Sequence, residues 1–274
     1  MSPKGLALAA FLVALVLITT AVVWTAGESR RTVVAPAAEP PERSRPLATP
    51  SALADRCMSL APREVEAAEV TLKSAGMRLV GAVLVPPDSR RDVGVILLPE
   101  IGGLCGSILF AEALAGEGVS AMPIDPCGFG GSTCAKDAHI SRQVTIAADH
   151  LRHRLSVRRV VLVGASMGGS QAVRAVAGGA RVDAWADISG PSAWDGDRLL
   201  ELAAQVSRPG FVAFAKHDGD PAEFGRARAL AQRSQAVFAP ASNGHGWELL
   251  TRLDGGLTTM GKRLVEFAVA TNVR

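Results

Sequence analysis

The chain has 274 residues, 48% of them hydrophobic, and a formal net charge of +3 at pH 7. Lys and Arg are spread along it rather than clustered, which argues against a nucleic-acid partner, while the apolar content suffices for a sizeable folded core.

Residues 5–27, GLALAAFLVALVLITTAVVWTAG, carry no charge and follow only Lys4 and the terminal amine. The stretch is long enough to cross a bilayer as a helix and longer than the usual apolar core of a signal peptide. A membrane anchor at 1–27 is expected ahead of a cleaved signal, for which Thr25-Ala26-Gly27 and Ala35-Pro36-Ala37 offer small-residue sites. Residues 28–54 turn to Pro, Ala, Glu, Arg and Ser with no apolar periodicity, so they read as a linker. What remains, 55–274, has the length of a single α/β domain.

Two signals bear on compartment. Arg30, Arg31, Arg43 and Arg45 follow the apolar stretch, and the positive-inside rule would keep that side cytoplasmic. Cys57, Cys105, Cys127 and Cys134 form an even set without C-x-x-C spacing, which favours disulfides in an oxidising compartment over zinc. Cys127 and Cys134 bracket the loop CGFGGSTC and are placed to close it, although spacing alone does not choose among the pairings. The expectation is an extracytoplasmic protein, anchored or secreted.

Within the domain, apolar and β-branched runs at 69–73, 78–85, 93–98, 119–124, 158–163, 182–187, 210–215 and 235–238 alternate with helical patterns at 107–117, 139–155, 167–178, 196–206, 221–233 and 247–270. Such alternation predicts an eight-stranded, mainly parallel, doubly wound sheet flanked by helices. The first two runs are joined by a hairpin-like connection, so the sheet should begin with an antiparallel pair. Ligands of such sheets bind beyond the carboxyl ends of the strands.

One of those ends carries a distinctive turn. In VRRVVLVGASMGGS, Ser166 stands in Gly164-Ala165-Ser166-Met167-Gly168 between a valine run and a helical pattern. A serine at so sharp a strand-to-helix turn needs neighbours without bulk two residues away on either side, and its hydroxyl then projects above the sheet. Met167 opens the helix, so its N–H is available to a developing oxyanion. The turn spells neither a P-loop, which needs Lys followed by Ser or Thr, nor the dinucleotide G-x-G-x-x-G.

A serine nucleophile needs a base, and the base an orienting acid. Of the five histidines, His150 and His153 lie three apart in an Arg-rich helix, His139 precedes that helix, and His217 ends a strand. His245 lies in Ser242-Asn243-Gly244-His245-Gly246-Trp247, a Gly-flanked turn after the last strand, and is the expected base. The acid should end the preceding strand; FVAFAKHDGDP offers Asp218, the nearer, and Asp220. The order Ser166, Asp218, His245 follows.

These motifs resemble those of the α/β-hydrolase superfamily across residues 65–272: the elbow GASMGG, the strand end PGFVAFAKHD, the turn NGHGW, and PCGFGGS as its D-x-x-G-x-G-x-S loop. The loop Leu98-Pro99-Glu100-Ile101-Gly102-Gly103 with HGW is similar to the dienelactone-hydrolase branch, and the resemblance implies Ile101 N–H as the second oxyanion donor. That branch uses cysteine where this chain has Ser166, so its lactone substrate does not carry over. Glu100 reads either as a residue positioning the elbow or as a loop carboxylate. The segment ISGPSAWDGDRLLELAAQVS is too short for a large cap domain, leaving an open site with Trp194 and Trp247 either as its walls or as ordinary packing residues. The combined reading is a serine hydrolase of small ester or thioester substrates, without metal or organic cofactor. A non-catalytic binding protein on the same fold, or an acyltransferase, are the alternatives.

Overall fold

The computed structural model describes Cys57 and residues 65–74, 76–86, 92–135 and 138–270. The expected anchor at 1–27 and linker at 28–54 lie outside the described residues, among which no helix is long and apolar enough to cross a membrane.

The strands are β1 (Glu66–Ser74), β2 (Met77–Val85), β3 (Val93–Leu98), β4 (Ser120–Pro123), β5 (Thr133–Cys134), β6 (Arg159–Ala165), β7 (Ala184–Ile188), β8 (Ala193–Trp194), β9 (Asp197–Arg198), β10 (Gly210–Ala215) and β11 (Val237–Ala241). The helices are α1 (Ile108–Gly116), α2 (Ile140–Leu155), α3 (Met167–Ala177), α4 (Leu199–Leu202), α5 (Pro221–Arg233) and α6 (Thr259–Val269).

One sheet runs β1-β2-β4-β3-β6-β7-β10-β11. The β1–β2 and β2–β4 pairs are antiparallel and the other pairs along that path are parallel. The fold is therefore the mainly parallel α/β architecture that the pattern predicts, begun by a hairpin. The added short strand β5 pairs with β2 and makes the sheet nine-stranded.

Every residue of β3 and β10 is buried, which is why those strands read as unbroken apolar runs. Alternation still sorts their side chains between two cores. Val95, Leu97, Val161 and Val163 face one layer with Phe110 and Phe267; Ile96, Leu98, Val160 and Leu162 face the other with Val144, Val173 and Leu230.

Two expected helices are shorter than the pattern implied. The segment 247–270 is interrupted: a 3-10 turn at Gly246–Leu249 is followed by the Thr251–Leu257 bridge. The helix α6 starts only where Thr258 accepts a hydrogen bond from Gly261 N. The segment 196–206 is broken likewise, because the β8–β9 hairpin extends to Arg198 and only Leu199–Leu202 is α-helical. No large cap is inserted between β7 and β10, where this hairpin and short helix stand.

Candidate active site

The strand β6 lies mid-sheet between β3 and β7, and Ser166 alone separates it from α3. Its backbone is at φ 51° and ψ −121°, a region that costs a non-glycine residue about 1–3 kcal/mol. Surrounding structure holds it there: Ser166 N donates to Ile188 O at 2.8 Å and Gly169 N to Ser166 O at 2.8 Å. The small residues around the serine are required sterically. A Cβ on Gly164 would lie 1.9 Å from Gly168 O, and one on Gly168 would lie 2.2 Å from Leu98 O. That second contact also shows how closely α3 abuts the end of β3.

Met167 is the first residue of α3, so its N–H has no intrahelical acceptor. Ile101 stands in the turn after β3 and is 72% exposed. The turn is braced from both ends: Gly103 N donates to Glu100 O at 3.2 Å, and Leu104 N to the buried Asp125 carboxylate at 2.8 Å. Asp125 opens the D-x-x-G-x-G-x-S loop, whose last residue, Ser132, donates to Asp125 O and accepts from Val80 N. The motif was readable in the sequence, but the task of Asp125 in supporting the Ile101 turn was not.

Asp218 and His245 come together from the loops after β10 and β11. The parallel pairing of those strands continues past their ends through Lys216 N to Ala241 O and His217 N to Ser242 O. His245 Nδ1 then lies 2.9 and 3.0 Å from the two oxygens of Asp218. With Nδ1–H donated to the carboxylate, Nε2 is left as the acceptor. The Asp218 side chain is 12% exposed and that of His245 48%, so the acid is sheltered and the imidazole is open to solvent. Ser166 Oγ makes no hydrogen bond among the described residues.

Asp220 has another task, accepting from Ala222 N at 2.9 Å as the N-cap of α5. Among the other histidines, His139 occupies the N-cap position of α2, and His217 lies 3.2 Å from Asn243 Oδ1. His150 has its pKa lowered by burial and then by nearby Arg154.

Glu100 does not engage the elbow, contrary to one of the two roles open to it in the sequence. Its Oε1 accepts from Trp247 N at 2.9 Å and thereby ties the β3 loop to the loop of His245. Gly246 permits the contact: it sits at φ 52°, and a Cβ there would be 1.7 Å from Glu100 Oε1.

Of the two readings open to the tryptophans, packing holds for Trp247. Trp247 is a core residue, 7% exposed and stacked on Phe110 with ring centroids 5.7 Å apart. Trp194 lines a cleft of about 890 Å³ that includes neither Ser166 nor His245 in its lining.

Sequence reasoning missed Asp187 altogether. It is the register partner of Gly164, two residues before Ser166, and its only signal was a carboxylate inside an apolar strand. It is 1% exposed; Oδ1 accepts from Gly190 N at 2.8 Å, and Oδ2 has no partner. Burial above all pushes its pKa up to about 7; the Gly190 N–H opposes this shift and nearby Glu223 adds to it.

The cysteines pair as Cys57–Cys105 and Cys127–Cys134. The first bond anchors the 3-10 turn just after the Ile101 loop, and the second closes the loop that begins after Asp125. Among the described residues no group of three or more His, Cys, Asp or Glu side chains is placed to hold a metal ion.

No protein-family model matches the chain, and no curated protein matches it significantly. Solved structures do. An esterase of Pyrococcus furiosus aligns at a TM-score of 0.57 and 16% identity, over 73% of this chain and 87% of that one. A dienelactone hydrolase-like promiscuous phosphotriesterase from metagenomic libraries aligns at 0.52 and 19%, over 66% and 82% respectively. Acetyl xylan esterase 1 of a Thermoanaerobacterium species aligns at 0.56 and 12%, over 80% and 92%. The architecture described above is thus the α/β-hydrolase fold.

Proposed function

We propose that the protein is a serine hydrolase that cleaves small ester or thioester substrates through an acyl-enzyme on Ser166. The observation that carries this reading is the contact of Asp218 with His245 Nδ1 on loops beyond the same sheet edge as the strained Ser166 turn. The strain has a use in this chemistry, since it lifts a hydroxyl clear of the sheet at the start of a helix. The structurally similar proteins that are esterases support hydrolysis as the reaction class.

In the first half-reaction Ser166 Oγ attacks the carbonyl carbon while His245 Nε2 takes the hydroxyl proton. The negative charge moves onto the carbonyl oxygen, which the N–H groups of Met167 and Ile101 receive. Removing one such donor typically costs about 3–4 kcal/mol of transition-state stabilisation. His245 then hands its proton to the departing alcohol or thiol as the carbonyl re-forms. In the second half, His245 takes a proton from water, the hydroxide attacks the acyl carbon, and Ser166 leaves with the proton returned to it. Asp218 keeps the imidazole in the right tautomer throughout.

The same reading assigns 1–27 to a membrane anchor or signal, 28–54 to a linker and 55–274 to the catalytic domain. The disulfides support work in an oxidising, extracytoplasmic compartment. Exposure of the full chain to a serine-reactive fluorophosphonate tests the nucleophile. The expected adduct maps to Ser166 by mass spectrometry and is absent from Ser166→Ala; a folded protein that takes no label contradicts the reading.

A further inference from the structure

The cleft of about 890 Å³ beside α3 is within the usual size range of ligand sites, and the proposed acyl-transfer chemistry makes no use of it. Its lining includes Phe129, Gln171, Arg174, Trp194, Asp195 and Asp197. We propose that this cleft is a second binding site, for a short neutral oligosaccharide, built on the Trp194 hairpin and Gln171.

The hairpin is a rigid platform. Asp195 and Gly196 have φ of 49° and 85°, the two left-handed residues of a tight two-residue hairpin turn. Trp194 and Asp197 are directly opposed across it, so the indole and the carboxylate share one face. Arg174 reaches up from α3 to Asp197 through Nε and to Asp195 through a terminal nitrogen at 3.2 Å. These pairs hold the guanidinium in place before any ligand arrives.

Gln171, also on α3, is 7% exposed, and its buried Oε1 has no hydrogen-bond partner. A buried amide oxygen without a partner is costly. Gln171 lines the cleft, and a turn of its side chain would bring this oxygen within reach of a ligand donor there.

The chemistry of the ligand follows from this inventory. Apart from His139, the titratable side chains of the lining are one guanidinium and two carboxylates, already paired with each other. An anion would meet the carboxylates, and Arg174 already offsets much of the charge that would draw a cation. Donors and acceptors interleaved beside an indole face suit a ring that carries hydroxyls on its rim and C–H groups on its faces.

The test is titration of the full chain, in a detergent without a sugar headgroup, with neutral xylose, glucose and N-acetylglucosamine oligomers by calorimetry and tryptophan emission. Choline and inorganic phosphate serve as charged comparisons. The Ser166→Ala background removes turnover, so binding there stands or falls independently of the hydrolase reading. At least one oligosaccharide should bind with Kd below about 1 mM. Binding should weaken roughly tenfold or more in Gln171→Leu, without loss of thermal stability, because that change removes the unpaired amide but keeps the packing. Trp194→Ala should abolish the emission change. No saccharide binding at that level, tighter binding of choline or phosphate, or unaltered affinity in Gln171→Leu overturns the proposal.

Discussion

Asp218 presents both of its carboxylate oxygens to Nδ1 of His245, at 2.9 and 3.0 Å, whereas Asp220, two residues on, caps the next helix. The division of labour between these neighbours is separable by mutation. Asp218→Asn should keep the fold and lower kcat on the order of 10⁴-fold, because an amide orients the imidazole in the wrong tautomer. Asp220→Ala should leave the rate constants nearly unchanged and cost about 1 kcal/mol of stability through the lost cap. Steady-state kinetics alongside thermal melts decide it, and a kinetic defect in Asp220→Ala would reassign the acid.

Glu100 is a positioning residue in this account, since it reaches the base loop only through Trp247 N. Glu100→Ala should therefore lower kcat by roughly 10–100-fold with little change in KM, the usual consequence of a loop displaced by about an ångström. Glu100→Gln should retain most activity, because its amide oxygen can accept the same hydrogen bond. Gly246→Ala should reproduce the alanine defect, as its Cβ would collide with the Glu100 carboxylate. Equal loss in the Gln and Ala variants would show that charge, not acceptance, is what matters.

Asp187 makes stability depend on pH in a direction opposite to that of a salt-bridged carboxylate. Its pKa is raised from 3.8 to about 7 by burial, so between those values the folded chain holds a proton that the unfolded chain releases. Stability is greatest below the lower value, falls as pH rises towards 7, and is flat above it as far as this group is concerned. The full swing is on the order of 4 kcal/mol. Asp187→Asn keeps the oxygen that accepts from Gly190 and has no proton to lose. Melting curves should show the wild-type decline flattened in this variant; parallel declines in the two proteins would count against Asp187 as its source.

The sequence exposed those parts of the site that lie at strand ends and are marked by turn residues. Ser166, Asp218 and His245 each follow a strand, and the glycines around the first and last were visible as small residues where bulk could not fit. Contacts made by packing between distant segments left no local mark. Glu100 and Trp247 are 147 positions apart, and nothing near either residue announces the other. Asp187 carries no local mark of its role, because burial depends on what covers a residue rather than on its neighbours in the chain. The break in the expected helix at 247–270 falls at Asp254-Gly255-Gly256, with Thr258 as the new cap. Trp247 follows the Gly-flanked turn that leads to the site, yet its ring turns inward onto Phe110, a choice that no neighbouring residue marks.

The most direct measurement is turnover of p-nitrophenyl esters of graded acyl length by the full chain, beside Ser166→Ala, Asp218→Asn and His245→Ala, each shown to be folded. The account predicts a burst of p-nitrophenol followed by steady turnover in the wild type. It predicts loss of both, to about 10⁶-fold, in the serine and histidine variants, and a smaller loss in Asp218→Asn. A folded wild type no faster than Ser166→Ala on every ester would contradict it.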